Sequence, residues 1–195
     1  MNAPAVFPTI KPGTRHRFTV EDVWRMVEVG VIAPDASLEI LDGDLIEMPS
    51  EGELHLTFKD EINRILVPAL GREWRIIPDG TLHLAPDNAP EPDFYVVARD
   101  SALRPVDPPS VPLVIEIADS SLAYDLSRKA MKYAEYGLAE YWVIDVKARQ
   151  THVFTGPSDG TYADVSSVPF SDTLTARALP TVSVRFDDLV PPPAG

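Results

Sequence analysis

The stretch Leu113-Val114-Ile115-Glu116-Ile117-Ala118-Asp119-Ser120-Ser121 decides the fold. Residues 113–117 are apolar throughout except for Glu116, the pattern of a central strand covered on both faces. Alternation along the strand puts Leu113, Ile115 and Ile117 on one face and Val114, Glu116 and Ala118 on the other. If both faces are covered, Glu116 sits in a medium of low dielectric, where an unpaired charge costs several kcal/mol. Such a carboxylate must be paired, protonated or bound to a cation. The alternative is an edge strand with Glu116 facing water.

Working outward, the pattern predicts a helix over residues 122–136, ended by Gly137, and then a second buried strand over 141–144. Simple core burial explains that strand, Tyr-Trp-Val-Ile, better than a dimer contact does. At about 100° per residue, Leu122, Leu126, Ala130, Tyr133 and Gly137 share an arc of about 80°, and Lys129 lies about 20° outside it. That arc should pack on the sheet, with Lys129 reaching back beside it and Arg128 and Lys132 pointing to solvent. An ordinary Asp125–Lys129 pair on the helix surface is an equal reading.

Upstream, Pro92-Asp93 opens a strand over 94–97, since a proline is at home at the first residue of a strand; taken alone, Asp93 reads better as a strand-initiating turn aspartate. Short strands are predicted over 75–77 and 81–84, and a helix over 54–70. The runs 38–41 and 44–48 flank Asp42-Gly43, a strong hairpin signal. Thr19 caps a first helix, with Asp22 completing a capping box and Gly30 ending it. Residues 150–154 and 162–165 read as a further hairpin. The expectation is an α/β (α+β) fold: a mixed β-sheet flanked by helices, with additional hairpins. Its predicted boundaries are an arm over 1–17, one domain over 18–190 and a tail over 191–195.

The chain has 195 residues, enough for a real core without staples. With no cysteine, disulfides and thiolate metal sites are excluded, which leaves oxygen or histidine ligands. The formal net charge of −13 repels nucleic acid at long range and favours the collection of divalent cations. No stretch reaches the roughly 20 apolar residues of a membrane span. The opening segment lacks the apolar core of a signal peptide, so a cytoplasmic protein is expected.

Asp93 and Glu116 on neighbouring strands can converge on one hard cation such as Mg2+ or Mn2+. Two acids and a lysine suit phosphodiester hydrolysis: carboxylate-held metal activates water, and an ammonium stabilises developing charge. There is no nucleophile elbow, phosphate-binding loop, zinc-protease helix or dinucleotide glycine pattern.

The segments Leu38-Glu39-Ile40-Leu41-Asp42-Gly43-Asp44-Leu45-Ile46-Glu47-Met48, Glu91-Pro92-Asp93 and Val114 through Ser121 carry a resemblance. So do Tyr124-Asp125 through Lys129, Tyr133, Gly137 and Glu140-Tyr141-Trp142-Val143-Ile144-Asp145. The sequence resembles the Uma2-type endonucleases, within the PD-(D/E)xK restriction-endonuclease-like superfamily, over nearly its whole length. The resemblance implies a restriction-endonuclease-like core, a divalent metal and nuclease chemistry on DNA. It matches Asp93 to the first motif acid and Glu116 to the second, both as catalytic and metal residues. The usual lysine position is Ala118, and the resemblance supplies the lysine from the next helix, at Lys129. Glu39 is a further site candidate, and His55 matches a family histidine, although a surface histidine at a helix start explains it better than catalysis does. Asp125 would support Lys129 or touch the metal through water.

Two other functions compete. One is a non-catalytic interaction or regulatory module that keeps the nuclease fold. The other is hydrolysis of a smaller phosphodiester, which an acidic protein repels less. Folding could gather Arg72, Arg75, Arg99, Arg104 and Arg128 into a phosphate-contacting patch. A homodimer is expected only because two-fold oligomers are common.

Overall fold

A computed structural model describes residues 15–190. The chain builds a six-stranded mixed sheet in the order β3-β4-β5-β6-β7-β8. These strands are β3 (Trp74–Pro78), β4 (Phe94–Ala98), β5 (Leu113–Ala118), β6 (Glu140–Asp145), β7 (Gln150–Ser158) and β8 (Thr161–Pro169). Only β5 and β6 pair in parallel, with Glu116 opposite Val143; the other neighbours in this sheet are antiparallel. A parallel pair needs a crossover, and a helical segment supplies it. That segment runs as α3 (Leu122–Tyr124), a π-helical turn (Asp125–Lys129) and α4 (Ala130–Glu135). The predicted continuous helix is therefore interrupted, and Gly137, at φ 75°, follows its end.

The sheet is covered on both faces. On one, Phe58, Ile62 and Leu66 of α2 (Glu53–Leu70) meet Leu113, Ile115, Ile117 and Trp142. On the other, Ala130, Tyr133 and Ala134 of α4 meet Val114, Ala118, Tyr141 and Val143. Burying each of these large apolar side chains is worth about 1.5–3 kcal/mol. β5 is buried at every position and lies inside the sheet, so Glu116 does not face water from an edge. β6 is likewise interior, which makes Tyr141–Ile144 core rather than a dimer contact.

The hairpin β1 (Leu38–Leu41) and β2 (Asp44–Glu47) turns at Asp42 and Gly43, both with positive φ, as its dipeptide predicts. It stands apart from the large sheet and carries Glu39 inward at 0% exposure. Helix α1 (Val20–Glu28) has the expected capping box between Thr19 and Asp22. Two small strands, β9 (Leu174–Thr175) and β10 (Ser183–Val184), have no signal of their own in the sequence.

Residues 81–84 do not form the predicted strand. Their backbone N–H groups turn to the following loop, Leu82 to the Pro90 carbonyl at 2.8 Å and Leu84 to that of Asn88 at 3.1 Å. Of the predicted arm, residues 1–14 lie outside the described residues, while Arg15 and Arg17 pair with Asp44 and Asp87 at 2.7 Å each. The predicted tail, 191–195, also lies outside them.

Candidate active site

Antiparallel β4 and β5 set Phe94 opposite Ile115, and one further step of this register sets Asp93 opposite Glu116. Directly opposed residues point to the same face of a sheet. Asp93 is fixed by its Oδ2, which accepts the Ile117 backbone N–H at 2.6 Å. The first acid is thereby tied to the backbone of the strand that carries the second.

Lys129 arrives from the crossover. Its ammonium donates to Glu116 Oε1 at 2.9 Å and lies 3.2 Å from Glu39 Oε2 and 3.9 Å from Asp125 Oδ1. The same Glu116 oxygen accepts the Tyr133 hydroxyl at 3.0 Å. A π-helical turn holds an extra residue compared with an α-helical one. The turn that ends on Lys129 accordingly buries both Asp125 and Lys129, each 1% exposed, although a regular wheel leaves the lysine at the flank. The surface Asp125–Lys129 pair is overturned, since both groups are buried and the lysine's nearest partner is Glu116.

The start of α2 completes the opposite wall. His55 Nε2 is 2.7 Å from Asp93 Oδ1 and 3.5 Å from a Glu51 oxygen. His55 is therefore engaged with the candidate acid and is not a free surface histidine. Lys59, one turn on, pairs with Glu51 and with Asp79, at 2.5 Å to the latter, and lies 3.4 Å from Asp93. Glu51, Asp93, Glu116 and Lys129 all line one cleft of about 370 Å³.

Electrostatics divides the site into two halves. Burial resists ionisation of Asp93, but the His55 hydrogen bond and charge, the Ile117 N–H and Lys59 hold its carboxyl below the ordinary range. Burial likewise opposes charge on His55, and Asp93 and Glu51 outweigh it and raise its pKa. In the other half, burial pushes Glu116 well above the carboxylate range; Lys129 opposes this, while Asp125, Asp93 and Glu39 add to it. Burial also pushes Asp125 up to about 6. Lys129 is buried too, yet Glu116, Glu39 and Asp125 keep its pKa raised, so the ammonium stays charged.

One ammonium thus faces three carboxylates at a buried position. Asp125 Oδ1 and Glu39 Oε1 are buried without a hydrogen-bond partner. One ligand atom each from Glu51, His55 and Asp93 lies within 4.8 Å of the others. Surplus buried acid, orphaned carboxylate oxygens and an oxygen-rich donor set fit a hard divalent cation.

The structure gathers Glu39, Asp93, Glu116, Asp125, Lys129 and His55 around this region. Sequence reasoning missed Glu51, Lys59 and Tyr133 as neighbours of the acids. Glu51, His55 and Lys59 are spaced by four, with His55 and Lys59 on one face of α2 and Glu51 just before its N-cap Gly52, and that spacing was the available signal. Arg128 and Lys132 do not point freely to solvent. The β1–β2 hairpin lies over them, with Arg128 bonding the Leu41 carbonyl at 2.8 Å and Lys132 the Asp42 carboxylate at 2.6 Å. Among the described residues, none of Arg72, Arg75, Arg99, Arg104 and Arg128 lines the cleft.

The sequence model of the family described as "Uma2: Putative restriction endonuclease" matches residues 21–187. A solved structure from Anabaena variabilis ATCC 29413, titled as a putative nuclease belonging to DUF820, superposes with a TM-score of 0.67. It is 14% identical and covers 88% of this chain and 97% of its own, a likeness that establishes the shared fold. No curated protein matches significantly.

Proposed function

Since the chain belongs to the Uma2 family, we propose that it is a metal-dependent endonuclease that hydrolyses DNA phosphodiester bonds. The observation that carries this reading is the convergence of Asp93, Glu116 and Lys129 in one cleft with more buried acid than base. Asp93 and Glu116 would hold Mg2+ or Mn2+, with Glu51 and His55 within reach on the Asp93 side. When bound, such an ion lowers the pKa of water and neutralises phosphate oxygens. His55 and the Ile117 N–H orient the Asp93 carboxylate, one through each oxygen. Lys129, held charged by its carboxylate neighbours, would stabilise negative charge building on the phosphate. Tyr133 and Lys129 share one Glu116 oxygen and so fix how that carboxylate is presented.

A plasmid-nicking assay with Mg2+ or Mn2+ tests this. Wild-type protein should nick and EDTA should stop it, while Glu116→Gln should lose about 100-fold or more, the scale of removing an electrostatic catalytic group. No cleavage by wild type, or undiminished cleavage by Glu116→Gln, would sink the reading. The net charge of −13 favours a second reading, a non-catalytic module that retains the fold. Calorimetry showing Mn2+ binding with no hydrolysis of any phosphodiester in a substrate panel would favour it.

A further inference from the structure

A second cavity, of about 420 Å³, shares Glu91 with the cleft. It lies between α1 and β1, walled by Val23, Trp24 and Val27 on one side and Leu38 and Ile40 on the other. Helix α1 places apolar residues at helical spacing yet buries none of them fully. Its stripe therefore faces a gap where a helix of this pattern would ordinarily pack closely. Trp24 remains 47% exposed. The Arg104 guanidinium sits 5.1 Å from the Trp24 ring centre, and the His83 ring meets that indole edge-on at 6.4 Å.

The polar groups of this cavity are few and have capacity to spare. His83 Nε2 is buried with no hydrogen-bond partner among the described residues. Burial and the Arg104 charge lower the His83 pKa. Glu91 accepts the Thr81 hydroxyl at 2.9 Å through one oxygen. An indole, a planar guanidinium, apolar walls and two or three hydrogen-bonding edges suit a flat heteroaromatic ring with a polar rim. That is the chemistry by which proteins hold single unstacked bases.

Position supplies the other half of the argument. Glu91 is two residues before Asp93, and two residues of extended chain span about 7 Å. A phosphate held at Asp93 therefore has the neighbouring nucleotide of its own strand within reach of Glu91. We propose that this cavity takes one unstacked nucleobase of the strand lying in the cleft, held by Trp24, Arg104, His83 and Glu91. The inference rests on the nuclease reading and adds to it a preference for single-stranded or locally opened substrate.

The test uses the full chain with Ca2+ in place of Mg2+, a hard cation that carboxylates also hold, and gels of the same samples score cleavage separately from binding. The probe is a short single-stranded DNA with 2-aminopurine at its centre, compared with the same strand carrying an abasic site there. Wild type should change the 2-aminopurine emission and should bind the base-containing strand more tightly than the abasic one. Trp24→Ala should weaken binding about tenfold, the scale of one base–aromatic stack. Because α1 buries no residue fully, this variant should fold; its melting curve checks that, and Arg104→Ala serves as the second variant. Equal affinity for both strands, or unchanged affinity in both variants, overturns the pocket even if wild type cleaves DNA. Base-dependent binding without cleavage supports the pocket and counts against the nuclease reading instead.

Discussion

Asp125 shows how far burial governs single residues in this site. Its carboxyl is raised from 3.8 to about 6 by burial, with Lys129 and the Ser121 hydroxyl opposing. A folded-state pKa above the unfolded one adds stability that is complete below the unfolded value and lost as pH rises through the folded one. Stability should therefore fall between about pH 4 and pH 6, and Asp125→Asn should flatten that slope in urea titrations run across this range. The Asp93–His55 pair has the opposite sign on its acid side. Asp93 is depressed, so its contribution is present above the unfolded value and vanishes as pH drops through the folded one. A slope across pH 4 to 6 that survives in Asp125→Asn would show that another group sets it. At this scale Glu116 was legible in the sequence, because one acid in an apolar strand stands out. Glu51 and Lys59 were not, because charged residues at a helix start have many ordinary explanations.

Among the elements, the π-helical turn matters most. It lets one short helix pack Ala130, Tyr133 and Ala134 on the sheet while also burying Asp125. Deleting the exposed Ser127 should restore a regular helix and rotate 122–126 by about 100° relative to α4. Helicity by circular dichroism should persist, while metal-dependent cleavage should drop at least about tenfold as Asp125 and its neighbours leave the site. Retention of full activity would mean that the turn has no part in assembling the site. The strands of the large sheet were legible from alternation and apolar runs. Residues 81–84 misled because four residues of mixed character carry no information about their partner, and the loop over 85–90 outcompeted the sheet for their backbone. The π turn was invisible to a wheel that assumes a constant angle per residue.

For the whole molecule, charge is the governing quantity. At −13 the protein repels a polyanion, and the cleft offers no arginine to offset this among the described residues. Screening shortens from about 30 Å to about 10 Å between about 0.01 and 0.1 M salt. Cleavage at limiting DNA and constant Mg2+ should thus speed up several-fold across that range, the reverse of the usual loss of DNA affinity with salt. A monotonic decline would reveal a basic track outside the cleft. The layered mixed-sheet fold was legible from the order of elements, whereas the placing of the β1–β2 hairpin over Arg128 and Lys132 was not, since it depends on contacts some 84 to 90 residues apart. The pairings within the site differ widely in sequence separation: 13 residues for Lys129–Glu116, 38 for His55–Asp93 and 52 for Glu91–Glu39. Closing a short loop sacrifices less chain freedom than closing a long one, so the β5–crossover–β6 unit is suited to form early in folding and the hairpin to dock late. Substitutions at Val143 or Tyr133 should then slow refolding, whereas Ile40→Ala should chiefly speed unfolding, a contrast that stopped-flow chevrons would display. On this order the buried lysine finds its first carboxylate before the remaining acids close around it, and the chain never has to bring all of those like charges together at once.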